Sequence, residues 1–282
     1  MGVNEKVYLR MTLNERIQHS LLASSFIVLV ITGFMLKFPE SFWVKWIAFV
    51  VGEGTFEARG IIHRVASVVM VGISFYHLYY LLFTTRGKQL AKDFWLRKKD
   101  LFDMLRQLGY LTGKNKEHVK FGRFSYIEKM EYWAVAWGTV VMGITGGVLW
   151  FENTFLKIIN TSGMDIATTI HYYEAILASL AILVWHFYFV FFNPDVFPMS
   201  KAWYKGFLTR EEMEKEHPLE LEEIDKAEKG KESAVTKETL TEPEEKVPSE
   251  IDEALNKPAD EVNSLKEEIS ENNNTQDKEP KS

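Results

Sequence analysis

Residues 170–193, IHYYEAILASLAILVWHFYFVFFN, form a run long and apolar enough to cross a bilayer, and it carries two histidines, His171 and His186. Side chains fifteen residues apart on a helix are separated by about 22 Å of rise and about 60° of rotation, so both imidazoles share a face at opposite membrane depths. The run at 61–83 repeats the arrangement with His63 and His77. Their spacing of fourteen gives about 21 Å of rise and about 40° of offset. Ionisable groups inside a membrane are costly and mark function. Two helices that offer imidazoles at two matching depths meet the needs of a pair of stacked haems.

Composition narrows the chemistry. The 282 residues include no cysteine, which excludes disulfides, thiolate-held iron–sulfur clusters and c-type haem attachment. Any haem is then held by side-chain coordination alone. The net charge of −6 averages two unlike parts, +8 over residues 1–210 and −14 over 211–282. The expected organisation is a membrane domain at 1–210 followed by a disordered, acidic, cytoplasmic tail at 211–282, whose aromatic-free composition buries too little surface to fold alone.

Apolar runs place four spans at about 17–38, 61–84, 131–151 and 168–193, an all-α four-helix membrane bundle. The polar residues before the first run argue against a cleavable signal peptide. Thr12 and Glu15 have capping-box spacing, which starts the first helix near Leu13. Residues 40–60 are too short in apolar length to span and carry Trp43 and Trp46, the mark of an interfacial segment. The connection from Arg86 to Lys129 holds twelve Lys or Arg, against three in the two connections on the other face. The positive-inside rule places that connection and both termini in the cytoplasm. Within it, Phe94, Leu101, Leu105 and Leu108 recur at helical spacing among basic residues, as in an amphipathic helix on a membrane surface or against a partner subunit.

Other candidates surround the four span histidines. His19 lies at the mouth of the first span, and Gly33, fourteen residues on, shares nearly the same face, where it gives room to a flat macrocycle or to a neighbouring helix. Arg64 beside His63 suits a haem propionate or a snorkelling charge. Before the third span, Lys120, Arg123, Tyr126, Glu128 and Glu131 form a polar cluster suited to propionates or a quinone head group, or to a plain interfacial belt. Glycines 138, 143, 146 and 147 make the third span a close-packing helix. His118 and His217 lie in polar segments and are expected to be solvated. Rival readings are a haem-free anchor or a histidine-based metal or proton transporter. Transition-metal carriage asks for more carboxylate or sulfur near the histidines than Glu174, Met70 and Met142 provide.

The opening RMTLNERIQHSLLASSFIVLVITGF, the IHRVASVV segment, the run IHYYEAILASLAILVWHFYFVFFNPDVFP and the closing WYKGF resemble the cytochrome b subunits of membrane formate dehydrogenases and nickel–iron hydrogenases, over about residues 8–218. The paired spacings also resemble those of cytochrome b6. This resemblance implies a four-helix, dihaem, quinone-reactive subunit that anchors an oxidoreductase in a bacterial or archaeal cytoplasmic membrane, not an enzyme standing alone. Carried over by motif, His19, His63, His171 and His186 are axial ligands of two haem b groups. The family pattern does not require His77. The far pair joins His63 to His171 on either pattern, while His186 pairs with His19 on the family pattern and with His77 on the b6-like one; a third haem would need His77 as well. Implied partners are membrane lipid, menaquinone or ubiquinone, and a redox subunit carrying iron–sulfur clusters or several c-type haems, with no nucleic acid.

Overall fold

The computed structural model describes residues 6–52, 54–194 and 196–241, with side chains through Lys231. Most of the expected acidic tail, residues 242–282, lies outside the described residues.

Four helices are long and apolar enough to cross a membrane: Leu13–Lys37 (α1), Thr55–Phe83 (α3), Tyr126–Trp150 (α6) and a continuous helical stretch Glu152–Phe192. Between them lie α2 (Phe42–Val51), α4 (Thr85–Phe94) and α5 (Lys98–Leu111). The expected capping box starts α1, with the Thr12 N–H donating to Glu15 at 2.7 Å. Ser125 and Glu128 start α6 the same way. Large side chains such as Ile31, Val68, Ile144 and Leu183 face outward all along the spans, where a lipid solvent favours them. In the bundle, α1 packs on α3 and α6 packs on α7, which runs Glu152–Leu180. Two π-helical stretches, Ala181–His186 and Tyr188–Phe192, complete the fourth span.

The fourth helix starts well before the expected 168, because Glu152 onward is already helical. Asn160 (φ 54°, ψ −178°) breaks it, and its side-chain oxygen accepts the Gly163 N–H at 3.1 Å. The connection expected there is therefore a helical piece joined to the span.

The amphipathic segment divides into α4 and α5. Phe94 ends α4 and stacks between Phe124 and Tyr132, so it leaves the leucine stripe. On α5, Leu101, Phe102, Leu105 and Leu108 are exposed while Asp100 and Asp103 are buried. That inside-out polarity follows from Lys129, whose buried ammonium bonds both Asp100 oxygens at 2.8 and 3.0 Å. The apolar stripe is left for a membrane surface or a partner.

The termini end carries a small clamp. Val7–Leu9 (β1) pairs antiparallel with Phe207–Thr209 (β2), which follows α8 (Ala202–Lys205). The pairing continues into α9 (Arg210–Glu216) and α10 (Pro218–Thr241). Tyr8, Leu208, Met213 and Leu221 form its apolar centre. The first compact unit therefore reaches Lys226, beyond the expected boundary at 210. Two apolar side chains in the acidic stretch, Met213 and Leu221, join Leu208 and Tyr8 in that centre, a signal that averaged composition hides. His217 corrects the expectation of a solvated side chain. It is buried, its Nδ1 donates to the Gly122 carbonyl at 2.9 Å, and its Nε2 faces the Arg10 guanidinium at 3.1 Å. Burial, then the Arg10 charge, push the His217 pKa down. His118 is exposed, as expected.

Candidate functional site

At the end of the bundle far from the termini, His63 on α3 and His171 on α7 face each other with ring centres 6.5 Å apart and planes at 69°. Each is held by an equivalent device on the adjacent helix. Thr32 gives its hydroxyl proton to the Val28 carbonyl at 2.6 Å, so its oxygen accepts from Nδ1 of His63 at 2.9 Å. Thr145 bonds the Val141 carbonyl at 2.7 Å and accepts from Nδ1 of His171 at 2.9 Å. A protonated Nδ1 fixes the tautomer and leaves Nε2 with a free lone pair. Next to each threonine is a glycine that the ring presses against. A Cβ at Gly33 would stand 3.3 Å from Cε1 of His63, and one at Gly146 would stand 3.2 Å from Cε1 of His171. Gly33 thus makes room for an imidazole, where a macrocycle or a helix was expected. The same Ile-Thr-Gly triplet, 31–33 and 144–146, serves both halves.

The spacing fits iron. With metal–nitrogen bonds of about 2.0 Å and about 1.1 Å from nitrogen to ring centre, two imidazoles on opposite sides of one metal have centres about 6.2 Å apart. The rings meet in pairs, and among the described residues no group of three or more His, Asp or Glu side chains is placed to hold a bare ion.

At the termini end, His19 on α1 and His186 in the π-helical stretch are close enough to interact electrostatically. Nδ1 of His186 donates to Glu131 at 3.0 Å, an acceptor on α6 that frees Nε2 in the same manner. His19 lies 6.3 Å from the Trp203 ring, and its Nδ1 is buried without a partner. His77 differs from both. Nδ1 donates to Gln18 at 2.7 Å, and the Tyr132 hydroxyl lies 3.3 Å from Nε2, so neither nitrogen is free. Gln18 in turn donates to Asn14 at 2.7 Å, and Asn14 to Tyr76 at 2.8 Å.

The two arginines singled out in sequence lie elsewhere. Arg64 is exposed, with its guanidinium 5.5 Å from the Trp150 ring centre. Arg123 belongs to the clamp, bonding Glu220 at 3.0 Å and facing Asp93 at 3.4 Å, because these carboxylates converge on it from α4 and α10. Glu220 also pairs with Arg10. Of the cluster before the third span, Glu128 caps α6 and Glu131 reaches a histidine. Thr32, Thr145 and Glu131 take part in the site through contacts that only helix pairing reveals.

Four membrane helices that set His63 against His171 and bring His19 near His186 define a membrane-bound b-type cytochrome. The profile of the prokaryotic cytochrome b561 family matches residues 10–198, and the chain belongs to that family. It is 25% identical over 228 residues to the cytochrome b556(Fdn) subunit of the nitrate-inducible formate dehydrogenase of Escherichia coli (strain K12), covering 81% of this chain and 96% of that one. The Shigella flexneri protein of the same description matches equally. The chain is a multi-pass membrane cytochrome b of electron transport.

Proposed function

We propose that this chain is the dihaem membrane subunit of a quinone-linked oxidoreductase, passing electrons between the quinone pool and a partner redox subunit. The facing pair of His63 and His171, each with Nδ1 held by a threonine, is the observation that carries the reading. These two would hold the far haem, and His19 and His186 the haem at the termini end. Bound there, the haems would supply one-electron transfer. Thr32, Thr145 and Glu131 orient the rings and set their donor strength. His77, engaged at both nitrogens, serves a polar chain with Gln18, Tyr132 and Asn14 in place of a third haem. That chain is the group of residues suited to bind a quinone head group and hold its protons. The basic connection 86–129 and both termini lie in the cytoplasm, where twelve positive charges meet anionic headgroups. The relatives are described as the cytochrome b556 subunit of a formate dehydrogenase, which supports a place in a multi-subunit redox complex; the partner proposed here is a subunit carrying iron–sulfur clusters or several c-type haems.

Haem content after single substitutions tests the reading. Purified protein should hold two acid-acetone-extractable haems per chain. His63→Ala, His171→Ala, His19→Ala and His186→Ala should each lose one, and His77→Leu should keep both. Colourless protein from haem-replete cells would sink the proposal in favour of an anchor or transporter. Loss of the termini-end haem in His77→Leu with both retained in His19→Ala would assign that ligand to His77.

A further inference from the structure

The termini end of the bundle holds three buried nitrogen atoms with no hydrogen-bond partner, Arg16 Nε, His19 Nδ1 and Trp203 Nε1. They belong to one locality. Arg16 is three residues before His19 on α1, and so on the same face. Its Nη1 donates to the Tyr204 carbonyl at 2.5 Å, beside Trp203. The His19 and Trp203 rings are 6.3 Å apart. Gly206, at φ +88°, brings the 202–206 turn down so closely that a Cβ there would stand 3.0 Å from Arg16 Nε. A glycine is what lets this turn cover the guanidinium.

Buried N–H groups almost always have acceptors, so a concentration of orphaned donors marks a missing one. A guanidinium and an indole N–H are both left without an acceptor, and an anionic group with several acceptor oxygens would satisfy both. Among the described residues, Glu15 is held by Arg86 and Tyr80, Glu220 sits with Arg10 and Arg123, and Glu131 on α6 gives one oxygen to His186 while its Oε1 is itself buried without a partner.

We propose that Arg16 and Trp203 form a carboxylate-binding subsite that anchors a propionate of the haem between His19 and His186, with the 202–206 turn as its cover. This rests on the dihaem reading above. Arg16 supplies the charge that stabilises an ionised propionate in the membrane interface, and Trp203 fixes its direction. Both act as positioning residues for the haem and through its potential.

The test uses the full-length protein, purified with its haems, and compares Arg16→Gln, Arg16→Lys, Trp203→Phe and, as an exposed control, Lys114→Gln. Readouts are haem content, the midpoint of each haem by redox titration, and the propionate bending modes in resonance Raman spectra. Removing a cation from beside the propionate favours ferric iron. Arg16→Gln should therefore lower the termini-end midpoint by a tenfold change in the ferric–ferrous equilibrium, about 59 mV for one electron. Trp203→Phe keeps the ring, should shift the same midpoint the same way by less, and should alter the propionate modes. Arg16→Lys should restore most of the loss, and Lys114→Gln should move neither haem. If Arg16→Gln fails to retain haem, Trp203→Phe decides. Wild-type midpoints and propionate modes in both Arg16→Gln and Trp203→Phe, or in Trp203→Phe alone where Arg16→Gln is unloaded, would overturn the inference and leave the dihaem reading standing. Wild-type protein with no haem at this end would instead refute the reading on which it rests.

Discussion

Replacing Thr145 with valine keeps the volume and removes one oxygen. That oxygen bonds the Val141 carbonyl as donor and Nδ1 of His171 as acceptor, at 2.7 and 2.9 Å, in a site where Thr145 is 7% exposed. The Val141 carbonyl keeps its helical partner, so the backbone loses little. The Nδ1–H of His171 is left buried without an acceptor, at a cost of about 1–3 kcal/mol. Outer-shell substitutions of this kind lower metal affinity about 10–100-fold, which is about 1.4–2.8 kcal/mol and in the same range. The expected outcome is a far-end haem that dissociates about 10–100-fold more readily. Its midpoint should also rise by tens of millivolts, because an imidazole without its acceptor donates less to ferric iron. Thr32→Val should act alike through His63, and Thr145→Ser should restore both values. Haem stoichiometry by pyridine haemochrome and a redox titration measure these effects. A Thr145→Val protein with wild-type haem retention and midpoint would refute the role given to the hydroxyl.

Three further outcomes are expected. Lys129→Met should destabilise the protein in detergent by about 3–5 kcal/mol, since Asp100 is left buried and unpaired, whereas Lys129→Met with Asp100→Leu should recover most of it; equal losses in single and double variants would refute the pairing argument. His217 is neutral in the folded clamp with its pKa held down by burial and Arg10, so the unfolded segment binds more protons and the clamp's stability falls as the pH drops below about 6.5; limited proteolysis of residues 207–226 should quicken at pH 5 relative to pH 7.5, and this dependence should vanish in His217→Gln. Gly206→Ala would place a Cβ 2.5 Å from the Met11 carbonyl at φ +88°, and should loosen the same segment at every pH, read by the same proteolysis.

The four-helix membrane architecture is legible in the sequence because lipid imposes long apolar runs, and the capping box at Thr12 because its logic is local. The facing of His63 and His171 is suggested by their equal distance from the ends of their runs. The threonines are not legible. Ile31-Thr32-Gly33 and Ile144-Thr145-Gly146 repeat in plain view, but the triplet acquires meaning only once α1 lies on α3 and α6 on α7. His77 stays open in the sequence for a related reason, since helical spacing places it at the depth of His186, and only the folded bundle brings Gln18 and Tyr132, from other helices, to its nitrogens. Arg123 and His217 escape because the clamp joins segments from three parts of the chain, and an acidic average over 211–282 conceals Met213 and Leu221.

That clamp also bears on how the protein is made. Val7–Leu9 pairs with Phe207–Thr209, and Arg10 with Glu220, contacts that bridge about two hundred residues of chain. A ribosome releases the N-terminal strand first, and for the whole synthesis of the four spans that strand has no mate and Arg10 no carboxylate. Closure is therefore the final step of assembly, available only to a chain whose every span has been inserted and whose two ends have emerged on one side of the membrane. A molecule with a span skipped or inverted carries an open strand edge and a stranded guanidinium, features that quality-control proteases can distinguish from the finished product.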